Sequence, residues 1–263
     1  MLIFFSLATD NFATPFSAVF IFQSVSITGI LALGVTATLV VDGFDLSIGS
    51  TATSALMLSS YVMVVWEMSA MWAVVFCLLM GAMVGLVNGL LIVKMKVPDL
   101  LATLGMMFLL IGLQRIPTEG RSISTGMVMP DGRVTEGVFS PEFLYLGRHK
   151  FDFFIDNLIP VSVVVLLVLG FIVWAFMELT RHGRLMYAIG SNARAAELAG
   201  ANVNRYKVLA YMISGVLDSV GGILLQGLTM MNAPYYTQDF VKGAVLVVAL
   251  VFTFALSKRG GVH

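Results

Sequence analysis

Charge is what this chain has least of. Only 11% of its 263 residues are Asp, Glu, Lys or Arg, against 59% hydrophobic residues and a mean hydropathy of +0.95. Soluble domains carry about 25% charged residues, so a soluble globular fold is excluded and a multi-spanning membrane protein is implied. The fifteen basic and fifteen acidic side chains cancel, which leaves no cationic excess to hold nucleic acid. Cysteine occurs once, at Cys77 inside an apolar run. An internal disulfide is therefore impossible, and a cysteine metal site has no second thiolate. The histidines, His149, His182 and His263, fall in loops or at the terminus, and neither HExxH nor GxSxG is present, so an intramembrane hydrolase lacks its residues. A glycine-rich phosphate loop ending in Gly-Lys-Ser/Thr is missing too, so ATP hydrolysis is not expected of the chain itself. The opening residues MLIFFSLATDNF offer no basic n-region and no small-residue cleavage site, and read as the end of a membrane span rather than as a cleavable signal.

Apolar runs fill the space left by charge. A membrane helix takes about 20 apolar residues. The sequence predicts a partial span at Met1–Ala8, then spans at about Phe16–Val41, Thr51–Trp66, Ala70–Val93, Pro98–Leu113, Leu158–Met177, Lys207–Met230 and Val241–Leu256. The fold expected is all-α, a polytopic transmembrane helical bundle of about 7–8 membrane segments forming one domain over residues 1–263.

Basic loops stay on the cytoplasmic side of a membrane. Residues 178–207 carry Arg181, Arg184, Arg194, Arg205 and Lys207 against Glu178 and Glu197, which predicts a cytoplasmic loop. Counting spans backwards places 114–157 outside the cytoplasm, where six acids and five bases show no positive bias, and places Lys94 and Lys96 inside. Counting forwards places Lys258 and Arg259 inside as well. Three basic clusters thus agree on one topology.

Within the cytoplasmic loop, GRLMYAIGSNARAAELAGANVNRYK (Gly183–Lys207) predicts a compact helix near 192–200. Asn192 or Ser191 serves as its N-cap, the Ala-rich stretch favours helix, and Gly200 ends it in a left-handed conformation. At about two turns it is marginal alone in water. It must dock, on its own protein or on a partner.

Three stretches carry a resemblance: VVDGFDLSIGS (Val40–Ser50), VGLVNGLLIVKMKVPDLLATLGMMFLLIGL (Val84–Leu113) and GRLMYAIGSNARAAELAGANVNRYKVLAYMISG (Gly183–Gly215). In this order they resemble the permease subunits of bacterial ABC sugar importers of the ribose, xylose, arabinose and autoinducer-2 type. The resemblance implies a subunit of the bacterial inner membrane that translocates a sugar or sugar-like solute. It implies the lipid bilayer as surroundings and three protein partners: a cytoplasmic ATP-binding subunit, a periplasmic substrate-binding protein and a second permease copy or paralogue. No cofactor is implied. Loop 178–207 becomes the coupling loop, with Asn192, Ala195, Ala196, Glu197 and Gly200 as the contact to the ATPase. The resemblance also implies that the family's N-terminal end and about two membrane segments near 218–228 are missing, which puts Asp218 beside a join.

Candidate pathway residues follow from the cost of polarity at membrane depth. Asp42 and Asp45 lie between apolar runs and need water, a partner or the protein interior, while Gly43, Ser47, Gly49 and Ser50 permit a helix broken near 42–50. Carboxylates, hydroxyls and amides match sugar hydroxyls by hydrogen bonding. The candidate pathway set is Asp42, Asp45, Ser47 and Asn88. Two alternatives stand beside it: Asp45 caps the following helix, and Asn88, flanked by Gly85 and Gly89, packs across a close helix contact. For the whole chain, the alternative is an ion-coupled secondary transporter with a midplane broken-helix site.

Overall fold

The computed structural model describes residues 15–151 and 159–229. Its helices are α1 (Pro15–Leu39), α2 (Ile48–Ser60, extended by a π-helical turn Tyr61–Val65), α3 (Ala70–Lys94), α4 (Asp99–Leu113), α5 (Pro141–Arg148), α6 (Val161–Leu179), α7 (Arg181–Ser191), α8 (Ala193–Leu198) and α9 (Val203–Thr229). Among the described residues, 6 helices are long and apolar enough to cross a membrane. They are the six interior spans expected from the apolar runs, with ends shifted by about one helical turn at most. The expected segments at 1–8 and 241–256 lie outside the described residues. The chain is a polytopic helical membrane protein. One small departure from all-α is a pair of two-residue strands, β1 (Lys150–Phe151) antiparallel to β2 (Ile159–Pro160).

α9 is the axis of the bundle. Its most apolar window is 67% buried, against 17% for α6 and 22% for α4, so α9 is covered by the rest of the chain while the other two are largely exposed. Phe108 and Leu109 on α4, and Leu167 and Phe171 on α6, are among the exposed apolar side chains of those outer helices. Lipid gives helices no hydrophobic reason to associate, so close approach has to be built from small side chains. On α3, Gly81, Gly85 and Gly89 recur every fourth residue. A Cβ at Gly81 would fall on the Gly215 carbonyl of α9, and one at Gly85 on the Tyr211 carbonyl. Residues 218–228, where missing segments were expected, lie inside the unbroken α9.

The two ends of the bundle are distinct. At one, Tyr211 of α9 meets Asp99 at the start of α4, just past Lys94 and Lys96, and Gly190 of α7 meets the backbone at Val40. This end therefore gathers the basic clusters. At the other, Gly137 packs on the Met63 and Val64 carbonyls, and Phe143 is buried in a cluster with Val62 and Met63. There the chain makes a small hairpin: Val128 bridges Val134, and the Thr135 hydroxyl donates to the Ser124 carbonyl at 2.8 Å. Arg133 donates to Asp131 across 2.6 Å, which holds that exposed carboxyl below the usual carboxylate range.

Candidate functional site

Between α1 and α2 lies an irregular stretch, residues 40–47, that covers most of the region where a broken helix was expected. α1 ends in a paired carbonyl cap: the Gly43 N–H donates to the Thr38 carbonyl at 2.9 Å and the Asp42 N–H to that of Leu39 at 3.0 Å. The motif needs a left-handed residue, and Asp42 supplies it with φ 55°. From there the chain is irregular as far as Ile48, and its burial alternates. Gly43, Asp45 and Ser47 point into the bundle, while Asp42, Phe44 and Leu46 are exposed.

The inward face is anchored by hydrogen bonds. Asp45, 4% exposed, accepts from the Ser47 N–H at 2.8 Å and the Ser47 hydroxyl at 2.6 Å through one oxygen. Its other oxygen lies 3.5 Å from the Ser214 hydroxyl of α9. Asn88, wholly buried on α3, donates to the Ser47 hydroxyl at 3.0 Å. Ser47 is the N-cap of α2, so Asp45 fixes the turn that starts the helix and places an acceptor near its positive end. The structure thus brings together Asp45, Ser47 and Asn88, and leaves Asp42 on the outer surface.

Four residues of this site were not identified from sequence. The Phe44 carbonyl lies 3.4 Å from both the Tyr211 and Thr103 hydroxyls. Those hydroxyls have nearer acceptors at 2.8 Å, Tyr211 in the Asp99 carboxylate and Thr103 in the Asp99 carbonyl. Asp99 and Ser214 complete the set. An acid directly after Pro98 at a helix start, and a tyrosine in an apolar span, were the available signals. Deeper in the bundle the buried Asp218 carboxyl faces Ser214 one turn back on α9, and Asn88 Oδ1 and Ser219 Oγ are buried without a hydrogen bond among the described residues. The broken segment sits toward the end that carries Lys94 and Lys96. Asn88 is only six residues, about 9 Å, from Lys94.

The second candidate site is the loop between α6 and α9. Asn192 caps α8 through its side chain, which accepts from the Ala195 N–H at 3.0 Å, and Gly200 ends the turn at φ 89°. Both expected signals are thus in place. α7 is additional. It is amphipathic, with Gly183, Met186 and Ile189 buried and Arg181, Arg184 and Tyr187 exposed. Slight desolvation and the neighbouring Glu178 carboxylate push the largely exposed Tyr187 phenol above its ordinary range. Of the expected contact residues, Asn192, Ala195, Glu197 and Gly200 are exposed, while Ala196 is buried at 7% in the chain's own core. Leu198, not singled out from sequence, is 80% exposed beside Glu197, which pairs with Arg194 at 3.7 Å. Glu197, Gly200, Asn202 and Asn204 line a hollow of about 320 Å³ where α8 turns into α9.

A family described as "Branched-chain amino acid transport system / permease component" matches residues 17–256. The chain is 32% identical to the ribose import permease protein RbsC of Escherichia coli strain K12 over 256 residues, 97% of this chain and 75% of that protein. It is 30% identical to RbsC of Bacillus subtilis strain 168, over 99% of this chain and 76% of that protein. It is also 30% identical to the galactose/methyl galactoside import permease protein MglC of Escherichia coli strain K12, over 77% of this chain and 60% of that protein. No solved structure matches the chain. With the matched region running from α1 through the broken segment, the α7–α8 loop and α9, the chain belongs to this family of transport-system permease components.

Proposed function

We propose that the chain is the membrane subunit of an ATP-binding-cassette importer in the bacterial inner membrane, moving a sugar or sugar-like solute delivered by a periplasmic binding protein. What carries the sugar reading over an amino acid is that the ribose relatives cover 97% and 99% of this chain. The fructose and galactose relatives are also sugar import permeases by name. A separate cytoplasmic subunit supplies ATP hydrolysis, and two permease copies or paralogues enclose the route.

In this reading the 42–47 segment borders the route. Asp42 stands at its exposed edge, and Asp45, Ser47 and Asn88 hold it from within. The outer face of α8 meets the ATPase through Asn192, Ala195, Glu197 and Gly200, with exposed Leu198 as the apolar contact. A few packed central residues dominate such an interface, and disturbing one costs more than about 1 kcal/mol. The test is Ala195→Trp, which adds bulk on the outer face while Ala196 keeps α8 seated. A correctly inserted permease that no longer co-purifies with its ATP-binding subunit is expected; normal assembly and normal import would remove α8 from the interface. Co-purification with no ATPase, and uptake of labelled D-ribose driven by a proton or sodium gradient, would favour the ion-coupled alternative.

A further inference from the structure

The segment that borders the route and the loop that meets the ATPase touch directly. Gly190, in the last turn of α7, packs so closely that a Cβ there would fall on the Val40 carbonyl oxygen and lie 3.4 Å from the Asp42 nitrogen. No side chain intervenes. A flexible side chain at such a contact would absorb a small displacement by changing rotamer, whereas two backbones in contact have no such slack. The contact is seated in one buried cluster that joins Ala37 and Val41 of the α1 end to Met186, Ile189 and Ala196 of α7 and α8. Two residues beyond Val40 the helix has given way to the left-handed Asp42 and the irregular segment that follows it.

We propose that Gly190 is a positioning residue. Its backbone contact with Val40 is the joint through which movement of the α7–α8 loop sets the position of residues 42–47. The proposal rests on the reading of α8 as the ATPase contact. The far side of the segment is tied elsewhere: Ser47 to Asn88 of α3, and Asp45 to Ser214 of α9. A shift of α7 against α3 and α9 therefore acts on the segment at Val40–Asp42, where Asp42 already holds the bend.

One readout needs no partner. Phe44 is 43% exposed and the native Cys77 is wholly buried, so Phe44→Cys gives a reporter for maleimide labelling in native membranes. Adding Gly190→Ala is expected to change the labelling rate about 2- to 30-fold, the span of typical coupling changes. Gly105→Ala, at a glycine with open space around it, leaves the rate unchanged. In the assembled importer, a non-hydrolysable ATP analogue changes labelling of Phe44→Cys, and Gly190→Ala abolishes that response. The same variant keeps ATP hydrolysis but raises the ATP consumed per D-ribose imported. Because Gly190→Ala adds an atom to a tight contact, Ile189→Val serves as a milder variant that loosens the joint, and a partial rise in ATP per sugar is expected of it. If both variants label and couple as the parent does, the joint is refuted. If the parent binds no ATPase, the functional reading fails while the partner-free labelling still decides whether α7 positions the segment.

Discussion

Asp45 is where fold and transport are most easily separated by substitution. One of its oxygens accepts two hydrogen bonds from Ser47, at 2.8 and 2.6 Å, inside a site only 4% exposed. Asp45→Ala removes the acceptor and leaves a buried N–H and a buried hydroxyl without their partner. Each lost bond is worth about 1 kcal/mol net, and an unsatisfied buried donor costs about 1–3 kcal/mol, so a loss of about 2–5 kcal/mol is expected. Asp45→Asn keeps the amide oxygen where both Ser47 donors find it, and its new N–H₂ faces the Ser214 hydroxyl, which accepts as well as donates. The Asn variant should therefore express and melt nearly as the parent, measured by size-exclusion after heating in detergent. If the segment borders the route as proposed, its D-ribose uptake should nonetheless fall by more than its expression, because the position no longer carries a carboxyl. An Ala variant as stable as the parent would refute the capping argument. Full uptake by a well-expressed Asn variant would take Asp45 off the route.

Other residues give simpler contrasts. Asp42→Gly relieves a left-handed residue that costs roughly 1–2 kcal/mol, and part of that gain is offset by glycine's greater freedom when unfolded. Its melting point should rise while uptake falls with loss of the carboxyl at the segment's exposed edge; unchanged uptake would leave Asp42 as a cap only. Gly85→Ala sets a methyl on the Tyr211 carbonyl, so α3 and α9 must part at a cost of about 1–3 kcal/mol, read as a lower melting point. At the other end, the depressed Asp131 carboxyl favours the folded hairpin above its ordinary titration range, and the contribution is lost as pH falls through the lowered value. The protection of the Gly126–Thr135 amides against hydrogen exchange, taken relative to the intrinsic rate at each pH, should therefore fall in acid, and Arg133→Ala should move that onset to higher pH.

The spans were legible because bilayer thickness writes itself into about 20 apolar residues at a time, and the basic clusters gave them an expected direction. Ends were less so. α2 starts at Ile48 rather than Thr51, because Gly49 and Ser50 look like turn residues until Asp45 and Ser47 organise the helix start behind them. α9 starts at Val203, four residues ahead of the expected Lys207, because Asn204 and Arg205 are polar residues of a helix that extends past the apolar run. α7 went unseen because Gly183 and Gly190 punctuate it, yet both glycines are there for backbone contact, with Met177 and Val40. Asp45, Ser47 and Asn88 were all singled out from sequence; that Ser47 links the other two was not, since Asn88 lies 41 residues from Ser47. The link from Tyr211 to Asp99 spans 112 residues and leaves no local pattern. Nor does local sequence fix the rotation of α8: Ala195 and Ala196 are chemically the same, and only packing against Met186 and Ile189 turns Ala196 inward.

The central claim is that this chain moves sugar with energy delivered through α8. The most direct measurement is uptake of labelled D-ribose by proteoliposomes holding the permease, its ATP-binding subunit and its binding protein, with ATP inside and proton and sodium gradients collapsed. Uptake that requires ATP and the binding protein, persists without either gradient and is lost in Ala195→Trp is the predicted result. Uptake that follows a gradient and ignores ATP would contradict it.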